Sequence, residues 1–449
     1  MARLRRLALA AVLTLSLLAG PVSAHGVTTF APPIPTDLLL VGAAGTVALT
    51  AGVLTRLETT PTPTRSTLVA VSAETATAGR WVARLTFLTG FLVAIYAGLT
   101  GPQQPVQFAT VFVWPVWFKG VLVVSALVGS PWRTLSPWET LYDLLALLEG
   151  DDPAVRSYPD GLGTWPAAVG FLLLVGIVEN LTVVPTRPRL TAVLVAAYAV
   201  CMLAGAVVFG REWFAQADPL GAFYDLVGRV APLRVQERDD GSLALVRASP
   251  WHACSRPLPD EGAAALAVAA VYTVSFDGLV ETAVFQSLLF DVRDAGVGAY
   301  AGIALYVAGF VAFLVTFWLV VGLAARLGGD APTRASLGFG ATLLPIAVGY
   351  DVAHNYPYVV RNLFELAELS LGQALVADPL AALSPEMYWT SEVGLVVLGH
   401  VAAVLAAHAV ATRLFGRGRP AARGHAPLVV LMVGYTVLSL WVLSRPVGG

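Results

Sequence analysis

Three of the six histidines in this 449-residue chain, His354, His400 and His408, fall inside stretches apolar enough to cross a bilayer. An ionisable side chain at membrane depth costs roughly 2.5–3.5 kcal/mol on insertion scales, so residues of this kind mark functional sites. Four carboxylates accompany them: Glu179, Asp277, Glu281 and Asp351. Asp351 and His354 are three residues apart, and Asp277 and Glu281 four apart, so each pair shares one helix face. His400 and His408 also share a face, but eight residues separate them by about 12 Å along a helix axis, too far for one ion. His408 lies toward the opposite end of its span from the other groups and is read as structural.

Two kinds of chemistry suit this set. Imidazole with carboxylate is a ligand set for a transition metal, zinc or copper in particular. His354 and His400 are the expected ligands, joined by His25 if processing frees its amino group. A metal with an open position could activate water for hydrolysis, with Asp277 or Asp351 as general base or as the group orienting a ligand. No His-Glu-x-x-His or Cys-x-x-Cys motif supports this assignment, and the two cysteines, Cys201 and Cys254, suggest no disulfide. The other chemistry is proton- or ion-coupled transport, in which buried carboxylates and histidines relay protons or hold ions. In that reading Trp114-Pro-Val-Trp117 marks a broken helix. Lys119, the only lysine in the chain, then serves as counter-ion to one of the acids. A third class is an assembly factor that binds metal and turns nothing over.

The elements that must hold these residues follow from composition. The chain is 57% hydrophobic and 12% charged, about half the charged fraction of a soluble domain. This specifies an all-α polytopic bundle in a lipid bilayer. A net charge of −2, without an arginine stripe interleaved with aromatics, excludes a nucleic-acid partner. Spans of about 20 residues are expected near 36–54, 81–100, 107–128, 164–184, 190–209, 262–284, 297–323, 336–352, 391–411 and 427–443. Residues 1–24 read as a signal peptide: a basic start, an apolar run, and Val22-Ser-Ala24 as the cleavage site. Residues 25–449 then form one membrane domain with a cytoplasmic loop near 210–261. Arginines crowd alternate connections, whereas the other side carries only Arg187, Arg189, Arg293, Arg361 and Arg445. The positive-inside rule therefore puts the mature amino terminus outside. Ser136-Pro and Asp218-Pro each begin a similar stretch ending in Tyr-Asp-Leu. Both are expected to start short helices on the membrane surface.

Several stretches in order along the chain resemble the polytopic membrane family labelled fenitrothion hydrolase. They include Ala24-His-Gly26, Ser130-Pro-Trp-Arg-Thr-Leu-Ser-Pro-Trp138, Phe209-Gly-Arg-Glu-Trp213, Ser275-Phe-Asp-Gly278, Tyr350-Asp-Val-Ala-His354 and the run from Gly399 to His408. The resemblance implies hydrolysis of an organophosphate triester at the membrane. It covers His25, Asp277, His354, His400 and His408 by position and assigns them no catalytic roles.

Overall fold

A computed structural model of the protein describes residues 34–57, 66–149, 154–329, 332–373 and 380–444. His25, the segment read as a signal peptide and the acidic stretch at 150–152 lie outside the described residues.

Nine helices among the described residues are long and apolar enough to cross a membrane, and Trp165–Glu179 is a shorter apolar one. The helices used below are α1 (Thr36–Leu57), α2 (Ala73–Thr100), α3 (Phe108–Val128), α4 (Pro137–Glu149), α5 (Trp165–Glu179), α6 (Pro188–Phe209) and α7 (Pro219–Val227). They continue with α8 (Glu261–Val280), α9 (Ala301–Gly328), α10 (Leu344–Leu371), α11 (Pro385–Phe415) and α12 (Arg419–Leu443). Side-chain caps satisfy several amino-terminal N–H groups: Ser72 for α2, Asp260 for α8 and Ser384 for α11. The expectation of about ten spans in an all-α bundle matches this architecture.

Burial separates these helices into a ring and a centre. On α1, α2, α6 and α9 large apolar side chains such as Leu49, Tyr96, Val200 and Leu319 are exposed, as expected for surfaces that face lipid. The most enclosed apolar windows belong to α3, α8 and the segment containing α10, at 67%, 72% and 83% buried residues. These three helices carry Lys119, Asp277, Asp351 and His354, so the ionisable groups sit at the centre of the bundle. α10 and α11 approach closely because glycine faces glycine: a Cβ on Gly349 would meet the Leu395 carbonyl at 2.8 Å and the Gly399 Cα at 3.1 Å. Small residues at such crossings let backbones pack where no hydrophobic effect is available.

One expectation is extended and one needs correction. The loop near 210–261 is structured, and it contributes strands β2 (Leu233–Glu237) and β3 (Leu243–Arg247) to an antiparallel sheet with β1 (Ser66–Val71), in the order β1-β3-β2. β1 pairs with β3 across more than 170 residues and so leaves no local signal, whereas β2 and β3 form a hairpin. The two Pro-initiated helices, α4 and α7, do form, but α7 does not lie on the surface. Every residue from Pro219 to Val227 except Asp225 is buried.

Asp218 explains why α7 is drawn inward. Its carboxylate is 1% exposed and accepts from the Trp132 and Trp138 indole N–H groups, both at 2.9 Å. It also accepts from the Leu220 and Gly221 amides and from the Tyr198 hydroxyl. On α4, Glu139 lies near this anion, and burial, with Asp218 next in importance, pushes its carboxyl up to about 7. A carboxyl raised on folding stabilises the protein below its unfolded value near 4.5, and that stabilisation is lost as pH rises through about 7. Glu139→Gln is therefore expected to melt above the wild type at pH 8 and to lose that advantage by pH 5. Equal shifts at both pH values would rule out this linkage.

Candidate functional site

Two of the central helices are not regular where they carry charge. In α3, Phe112–Lys119 is a π-helical segment containing Pro115. Proline lacks the N–H that an α-helix would donate back to the Val111 carbonyl, and the wider π turn accommodates the break. The Gly120 N–H then reaches the Pro115 carbonyl, five residues back. In α5, Leu172–Glu179 is likewise π-helical, and the Asn180 side chain donates to the Val175 carbonyl at 2.8 Å. Lys119 closes one segment and Glu179 the other.

These residues meet. The Lys119 ammonium lies 3.3 Å from the Glu179 carboxylate and 3.6 Å from that of Asp351. Asp351 accepts a 2.6 Å hydrogen bond from the Asn355 side chain one turn along α10. The His354 Nε2 is 3.8 Å from Asp277 on α8. One Glu179 oxygen, Oε2, is buried without a hydrogen-bond partner.

A cavity of about 330 Å³ lies against this network. Its deep end is lined by Lys119, Glu179, Asp277 and Asn355, and its side walls include Trp114 and Tyr358. Near its mouth are Pro105, Val106, Pro185 and Thr186, from connections at one face of the bundle. Lys119 is eleven residues into α3 from that face, a depth of roughly 17 Å. Toward the opposite face, which bears the β-sheet, Trp117 stacks on Trp132 at 5.6 Å. Trp132 in turn packs edge-on against Trp138 and Tyr224, each at 5.3 Å.

Of the residues singled out from sequence, Asp277 and His354 are paired, and Asp351 and Glu179 share Lys119. Glu281 lines the cavity above Asp277. Asp351 and His354 do not end a span, because α10 continues to Leu371 and places both well inside the helix. His400 is fully buried, with Nδ1 2.9 Å from the Val396 carbonyl of its own helix and its ring 5.9 Å from that of Tyr435. His408 is buried near His425, with ring centroids 5.7 Å apart. His425 is only 2% exposed, although the sequence around it is basic.

His25 lies outside the described residues, so the ligand set expected for a transition metal is described only in part. Among the described residues no group of three or more His, Cys, Asp and Glu side chains could hold one. An ammonium sits where a metal would neutralise the two carboxylates. Lys119, expected as counter-ion to one acid, lies between two, Glu179 and Asp351. Asn355 and Tyr358 were not singled out. Cys254, beside His252 in sequence, is fully buried, and burial pushes its thiol up to about 12, which leaves it inert.

Comparison with protein-family models, with curated proteins and with solved structures finds no match to this chain.

Proposed function

We propose that the protein is a proton- or ion-coupled membrane transporter for a small cationic solute. The observation that supports this reading most directly is the Glu179–Lys119–Asp351 network at the base of a cavity deep in the bundle. A proton added to either carboxylate weakens its hold on the ammonium, so protonation and network geometry are linked, as a coupled carrier requires. The carboxylates of Glu179, Asp277 and Glu281 outnumber Lys119 in the lining, which favours a cation over an anion. The Trp114 and Tyr358 rings offer faces for an organic ammonium. Irregular backbone where a helix lines a cavity is also a recurring feature of transporter sites.

The test is flux in sealed proteoliposomes carrying an internal pH indicator, with a panel of organic and inorganic cations applied outside. At least one cation is expected to drive a pH change, and Asp277→Asn is expected to reduce it to the leak of protein-free vesicles while retaining the fold by circular dichroism. No flux across the panel, together with turnover of a phosphotriester in detergent, would favour the hydrolase reading implied by the family resemblance.

A further inference from the structure

The connection from α11 to α12 carries a second set of polar groups, remote from the Lys119 network and on the face that bears the sheet. α12 is 25 residues long, and its N-cap, Gly418, supplies no side-chain cap. The first-turn amides of Arg419 and Ala421 have no intrahelical acceptor, and Pro420 between them has no N–H to offer. Uncapped amides with the positive end of the helix dipole favour an anion.

The second observation is independent of the helix end. His408 and His425 are 6% and 2% exposed, and the Nε2 atom of each is buried with no hydrogen-bond partner. Polar nitrogens deprived of water in this way destabilise the fold unless something pairs with them. His408, Arg417, Gly418 and Ala421 line one small cavity of about 10 Å³, room for about one oxygen-sized atom. None of its lining residues is acidic, and Arg417 would repel a metal ion. The imidazole here is therefore suited to donate an N–H rather than to ligate a cation.

We infer that this pocket binds a phosphate-type oxyanion. One oxygen sits in the cavity against His408 and the first turn of α12, and Arg417, exposed at the mouth, pairs with the remaining oxygens. The same chemistry is offered by free phosphate and by the headgroup of an anionic phospholipid, and a basic connection at a membrane face is a place where either is found.

The experiment uses the full chain, delipidated in a non-ionic detergent. Inorganic phosphate is titrated while thermal unfolding is followed, and retention of phosphatidylglycerol or phosphatidylcholine is measured separately by native mass spectrometry. A saturable rise in midpoint with phosphate identifies a soluble anion. Retention of phosphatidylglycerol without a phosphate response identifies a headgroup. In either case Arg417→Gln is expected to weaken binding about tenfold, the loss of one charged hydrogen bond, and Arg417→Lys to restore part of it. His408→Phe is the buried counterpart, and the exposed Arg417 variants keep the test decisive should it misfold. Binding of neither phosphate nor phospholipid, or binding indifferent to Arg417→Gln, overturns the inference.

Discussion

Lys119→Ala is expected to cost about 3–5 kcal/mol of stability, because removing one partner of a buried ion pair strands the other. Here it strands two carboxylates at once. Glu179 and Asp351 lie on different helices, and among the described residues this ammonium is the cation that pairs with both. The loss should be smaller in Lys119→Ala/Glu179→Gln than in the single variant, since the double variant removes a stranded charge together with its partner. Lys119→Met tests packing separately from charge: if it melts like the wild type, the ammonium contributes nothing to the fold. Thermal unfolding of these four proteins and of Glu179→Gln in one detergent measures these differences, and the double-variant cycle isolates the pair. On the transport reading, each single variant also loses coupled flux.

Asp218→Ala is expected to destabilise by a similar amount for a different reason. Its carboxylate is matched by donors on every side, so its removal leaves the Trp132 and Trp138 indoles and the Tyr198 hydroxyl buried without an acceptor and takes the N-cap from α7. A lost cap alone costs about 1 kcal/mol, and each buried orphaned donor about 1–3 kcal/mol. Asp218→Asn should recover part of the loss, because its amide oxygen can still cap the helix. Near-UV circular dichroism of the tryptophans, with the melting midpoint, distinguishes a local defect from global unfolding. An Asp218→Ala protein as stable as the wild type would mean that the aromatic cluster holds α7 without the anion.

The spans were legible in the chain because hydropathy reports burial in lipid directly. It does not report where a helix stops once it leaves the bilayer. The segment after Pro357 turns polar, with Glu365 and Glu368, yet α10 runs on to Leu371. The site was legible in part. Depth along a helix can be counted, and of the residues so grouped Glu179 and Asp351 meet at Lys119 while Asp277 lies beside His354. Rotation about the axis cannot be counted, and it decides that the His400 ring packs beside Tyr435. Lys119 was legible as a counter-ion to one acid, because it is the only lysine in the chain, but helix order is not counted either, and it decides that two carboxylates share the ammonium. The place of β1 was hidden because its partner β3 is distant in sequence, whereas β2 and β3 form a local hairpin inside a stretch read as a loop, and Asp218 was hidden because a Pro-preceding cap looks the same at a surface as in a core.

The π-helical segments ending at Lys119 and Glu179 have a kinematic consequence. Each π turn holds one residue more than an α turn, and an α-helix advances about 100° per residue. If the stretch around Pro115 took up α geometry, everything beyond it would shift in register by one position. The ammonium would swing by about that angle around the axis of α3. Such a step would carry a charge from one neighbour to another at the enclosed centre of the bundle without tilting the helix.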